Sequence, residues 1–114
     1  MMADDSFQQI RQLLHRLGVT ENYTGFSYTV YAIQLSISQP NRLCLITKQL
    51  YPDVAKHYGT TWEAVERNIR TVASVAWANN PLLLSELAGH TLTSRPHNAS
   101  FLSILASSFP SSTA

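Results

Sequence analysis

The stretch "YGTTWEAVERNIRTVASVAW", residues 58–77, divides at Gly59 into the end of one helix and the apolar stripe of another. Trp62, Val65, Ile69, Val72 and Ala76 recur at spacings of three, four, three and four, which predicts an amphipathic helix from about Trp62 to Ala78. At roughly 100° per residue, the opposite side carries Glu63, Glu66, Arg67, Arg70, Thr71 and Ser74. Gly59 can adopt the left-handed conformation that ends the preceding helix. Thr60 with Glu63 three residues later forms a capping box for the next helix, and Thr61 is an alternative N-cap.

Upstream of Gly59, "PDVAKHY" reads as a short helix, with Pro52 at its first position and Asp53 at its positive end. Pro52 also pushes Tyr51 away from the helical region, so a boundary is expected near residue 51, after a helix that starts at Arg42. Residues 5–17 place Phe7, Ile10, Leu13, Leu14 and Leu17 on one buried stripe closed by Gly18. "FSYTVYAIQLSI" has helical spacing at Phe26, Val30, Ile33 and Ile37, although its β-branched and aromatic content also suits a strand. Downstream, "NNP" at 79–81 breaks the chain, "LLLSELAG" forms a short helix and "NASFLSILASSF" a last one. The expected class is all-α: six or seven helices with a central helix-turn-helix, winged-helix-like and without convincing strands.

In a helix-turn-helix the second helix enters the DNA major groove. Ala55 allows close approach of the two helices, Gly59 permits the turn, and Val65 packs across the angle between them. Arginine's planar fork can hold guanine O6 and N7 together, and a carboxylate can accept from cytosine N4. Glu66, Arg67 and Arg70 therefore form a base-reading set, while Lys48, Lys56, His57, Thr60, Thr61 and Arg95 are the candidates for holding or positioning phosphates. The same helix also offers the i,i+4 pairs Glu63 with Arg67 and Glu66 with Arg70, which on their own only solvate a helix.

Composition bounds these expectations. The 114 residues are 45% hydrophobic and 13% charged, which suits one folded domain, laid out as a flexible leader (1–4), a helical DNA-binding domain (5–109) and a flexible tail (110–114). Net charge is only +1, yet residues 41–80 carry five cationic residues against Asp53, Glu63 and Glu66. No apolar run approaches the ~18 residues of a membrane span, and the acidic start matches no signal or transit peptide. The lone Cys44, with Leu43, Leu45 and Ile46 as neighbours, fits a reduced cytoplasmic setting. His15, His57, His90 and His97 lack metal-ligand spacing, the four glycines are dispersed as helix ends or turns, and no nucleophile is singled out. Neither cofactor, metal nor enzymatic activity is expected. Trp62, Trp77 and the five tyrosines offer stacking surfaces for a single strand, but such residues read first as core.

The segment "ITKQLYPDVAKHYGTTWEAVERNIRTVASVAW", residues 46–77, closely resembles the C-terminal DNA-binding domain of the sporulation stage-zero master response regulator family of spore-forming Firmicutes. "LYPDVAK", "TT", "VER", "IR" and "VAW" stand in that family's order, and weaker similarity through "IRQLLHRLGV", "GFSYTVYAI" and "LAGHTLTSRPHNASFLSIL" extends over residues 8–105. The resemblance implies an all-helical effector domain that reads a promoter element containing G·C pairs, with Glu66, Arg67 and Arg70 at base-contacting positions. Relatives bind tandem DNA sites with neighbouring domains in contact, so self-association on such sites is an expectation, and RNA polymerase is a candidate partner. Ala64 stands where the family has an arginine, and the loop "TLTSRP" is shorter, with Arg95 alone in place of several lysines. These departures point to a different or weaker DNA preference. Family members carry an N-terminal receiver domain for which 114 residues leave no room, so the chain is either an excised domain or a stand-alone relative. The competing expectation is a protein-interaction module that has kept the fold, lost DNA reading and binds a related regulator or RNA polymerase.

Overall fold

The computed structural model describes residues 2–109, with side chains from Ser6 onward. Six α-helices form among these residues: α1 (Met2–Arg16), α2 (Thr24–Ser38), α3 (Tyr51–Tyr58), α4 (Trp62–Asn79), α5 (Pro81–Ala88) and α6 (Asn98–Ala106). No strand occurs among the described residues, so the ambiguous "FSYTVYAIQLSI" segment is helical. None of these helices is long and apolar enough to cross a membrane. The tail expected at 110–114 lies outside the described residues.

The segment between α2 and α3 differs from expectation. In place of an α-helix from Arg42, a 3-10 stretch (Pro40–Leu45) runs into a π turn (Ile46–Leu50). Tyr51 is itself helical, with φ −61° and ψ −45°, and its N–H donates to Ile46 O, five residues back. Pro52 supplies the reason: its ring would collide with the carbonyl four residues earlier, and a widened turn relieves the collision without breaking the chain. Cys44 is exposed on this segment.

One apolar cluster joins all six helices, with Ile10 and Leu14 from α1, Leu17 from the turn that follows it, Phe26 and Ile33 from α2, Val54 from α3, Val65, Ile69 and Val72 from α4, Leu84 from α5 and Phe101 and Leu105 from α6. Close contact of α2 with α4 depends on Gly25. A Cβ there would sit 2.2 Å from the carbonyl oxygen of Asn68, so Gly25 is a packing position and not only the turn residue expected. The "NNP" break also does more than stop a helix. Asn80 accepts from Leu83 N–H as the cap of α5 and donates to Arg16 O at 3.0 Å, while Asn79 donates to Gly18 O, so this junction is tied to the end of α1.

Two residues of the expected stripes are not core. Trp62, the first residue of α4, is 42% exposed, and Phe7, within α1, is 38% exposed. Tyr23 and Tyr58 are likewise exposed, and of the tyrosines Tyr51 alone is fully in the core.

Candidate nucleic-acid interface

The turn between α3 and α4 closes with two hydrogen bonds. Gly59, at φ +65°, donates to Lys56 O, and Thr60 N–H reaches back to Ala55 O at 2.9 Å. This pairing satisfies two carbonyls that the end of α3 would otherwise leave open. Between the two expected N-caps the structure selects Thr61, whose Oγ1 accepts from Ala64 N–H at 3.2 Å. Ala55 and Val65 are buried beneath the turn with Val54 and Ile69, which holds the angle between α3 and α4.

Outward from that core, α4 exposes Glu63, Arg67, Arg70, Thr71 and Ser74. Glu66 is not fully on this face. It lies three residues before buried Ile69, hence about 60° around the helix, and its side chain is 30% exposed. Its carboxylate pairs with the Arg70 guanidinium, whose side chain is 51% exposed. The other anticipated i,i+4 pair, Glu63 with Arg67, does not form, and Arg67 has no side-chain ion partner among the described residues. One arginine is therefore free for a ligand and the other is oriented by a neighbour.

Arg95 comes from the irregular chain between α5 and α6, yet it lines the same recess as Glu66 and Arg70, a space of about 390 Å³ that also includes Thr47, Tyr51, His97 and Asn98. Burial pushes the Tyr51 phenol above its ordinary pKa, partly offset by a hydrogen bond from Asn98. The recess thus brings together positive charge from two separate elements, with a neutral phenol at its base.

Besides Arg95, the expected phosphate-positioning residues fall in three places. Thr60 and Thr61 sit at the turn, and Lys48 is exposed on the π turn. Lys56 and His57 line a different recess with Tyr31, Leu35, Arg42 and Asp53. There the His57 ring stacks on Tyr31 with centroids 4.0 Å apart, and Arg42 pairs with Asp53. The Lys56 recess and the Arg95 recess share no lining residue.

Sequence reasoning missed Tyr51, His97, Asn98 and Thr47 as parts of the Arg95 recess. Nothing in helical periodicity connects residues 47, 51, 66 and 95–98, since their meeting depends on how α6 folds back. Trp62 was hidden for a different reason: its spacing fits the stripe, yet it is exposed at the first position of α4. Among the described residues, no group of three or more His, Cys, Asp or Glu side chains converges as a metal site would require.

A protein-family model described as the C terminal of sporulation initiation factor Spo0A matches residues 10–109. That span includes the helix-turn-helix, the Arg95 loop and α6.

Proposed function

Because the chain belongs to the family of sporulation initiation factor Spo0A C-terminal domains, a family of regulator DNA-binding domains and not of enzymes, we propose that it is a sequence-specific reader of double-stranded DNA in transcription, with α4 in the major groove. The carrying observation is the exposed Arg67 beside the Glu66–Arg70 pair on the outer side of a helix whose angle to α3 is held by a closed turn. Arg67 and Arg70 fork onto guanine edges, while Glu66 orients Arg70 or accepts from a cytosine amino group. Thr60 and Thr61 bind the phosphate that faces the positive end of α4, and Lys48, Lys56, His57 and Arg95 hold phosphates farther along the duplex. The setting of such a regulator is cytoplasmic. Tandem sites align neighbouring copies, and RNA polymerase is the protein partner that transcriptional activity requires.

Selection from a random duplex library at moderate salt tests this function. Enrichment of a G-containing motif by the natural chain, lost in the Arg67→Ala, Arg70→Ala double variant, is the expected result. No enrichment by either protein refutes it.

A second function, a protein-interaction module, is favoured by a specific observation: the free protein already neutralises Arg70 with Glu66, and the net charge is only +1. The two functions differ in salt response. A DNA reader loses affinity steeply as salt rises, whereas an interaction module binds no duplex even at low salt.

A further inference from the structure

The loop from His90 to His97 carries Arg95 but has no helix or strand to hold it. It is fastened at its two ends. Near the start, Leu92 N–H donates to Ser85 Oγ at 2.9 Å and His90 N–H to Ser85 O at 3.3 Å. At the far end stands Asn98, the first residue of α6 and 9% exposed. Its Nδ2 donates to the backbone carbonyl of Glu66 at 2.9 Å and to the Tyr51 hydroxyl at 3.1 Å. The amide orientation is fixed by chemistry, since a carbonyl only accepts and the group facing Glu66 O must be the NH₂. One buried side chain therefore joins the end of the Arg95 loop to the middle of α4 and to the start of α3.

We infer that Asn98 is a positioning residue for DNA reading: by binding Glu66 O and Tyr51 Oη it holds the Arg95 loop in register with the Glu66–Arg70 pair. Arg95 then meets a phosphate of the same DNA stretch that α4 reads. This rests on the DNA-reading function proposed above. Asn98 touches no DNA itself and acts through Arg95.

The test is a double-mutant cycle on the full chain, using Asn98→Leu and Arg95→Ala with the duplex recovered by library selection as the probe. Leucine keeps the shape of asparagine and removes both donors without adding charge. Arg95→Ala alone should flatten the dependence of log affinity on log salt by about 0.9. Asn98→Leu alone should flatten it by the same amount, and Arg95→Ala should change nothing further in the Asn98→Leu background. A purely structural Asn98 would leave the salt slope unchanged and the two effects additive, which overturns the inference while the DNA-reading function stands. Failure of the natural chain to bind any duplex at low salt overturns both. If Asn98→Leu does not fold, Asn98→Ser takes its place in the same cycle, because its hydroxyl supports a helix start but is too short to reach Glu66 O.

Discussion

At the scale of single residues, the arginines of α4 differ in how they are prepared. Arg67 has no side-chain ion partner among the described residues, so the proposed DNA reading requires it to be ordered on binding, whereas Arg70 is already held by Glu66. Replacing either with alanine should cost about 1–3 kcal/mol of affinity and relax specificity at one base pair. Folding stability should change by less than about 0.5 kcal/mol in both, because exposed i,i+4 pairs contribute little. Titration with the selected duplex and chemical denaturation check the two halves separately, and unchanged affinity in both variants removes these residues from the base-reading set. Thr29 presents the opposite case. Its hydroxyl oxygen is buried in α2 without a hydrogen-bond partner, a cost with no gain in the free domain. Thr29→Val keeps the shape and removes the orphaned group, so it should raise stability by about 1 kcal/mol. A lower melting temperature in that variant would mean the hydroxyl has a partner after all.

At the scale of elements, periodicity revealed which helices exist and which stripe each buries, because the apolar face of a helix is written in one short window. The α4 stripe at Val65, Ile69, Val72 and Ala76 is fully buried as its spacing requires. Contacts between elements were not legible in that way. Gly25 looked like a turn residue, although it is the point where α2 meets the backbone of α4. The π turn before α3 was equally hidden, since Pro52 announces a collision but not whether the chain breaks or widens to avoid it. Gly25→Ala gives the element-scale test. Backbone cannot move aside as a flexible side chain can, so the added methyl should cost about 2–3 kcal/mol or more. An exposed helical glycine would instead gain up to about 1 kcal/mol from the same change. Equilibrium unfolding distinguishes the two by sign, and stabilisation would show that α2 does not approach α4 this closely.

At the scale of the whole molecule, the candidate site was legible where it lies on one helix and illegible where it is assembled from several. Glu66, Arg67 and Arg70 could be named from spacing, but the bridge through Tyr51 and Asn98 needs residues 47 positions apart to meet. Three titratable groups, Glu21, Tyr51 and Tyr58, carry shifts that bear on how the fold responds to pH. Glu21 accepts from His15 and pairs with Arg11, tying the α1–α2 connection to α1. Its pKa is lowered, first by the hydrogen bond with His15 and then by its own backbone N–H. A depressed carboxylate contributes stability that is present above its unfolded value of about 4.3 and is lost as pH falls through the folded value. Tyr51 and Tyr58 are shifted upward, both chiefly by burial. Their contribution is complete below the unfolded value of about 10 and is lost as pH rises through the folded value. Stability should therefore be level across neutral pH and decline on both sides. Denaturation midpoints measured from acid to alkaline pH should show a shallower acid decline in Glu21→Gln and a shallower alkaline decline in Tyr51→Phe. Tyr51→Phe also discards the acceptor for Asn98, so its midpoint at neutral pH should be lower even as its alkaline slope flattens. A parallel downward shift at every pH, with the alkaline slope unchanged, would show that the Tyr51 hydroxyl serves only as that acceptor and does not limit the fold in alkali.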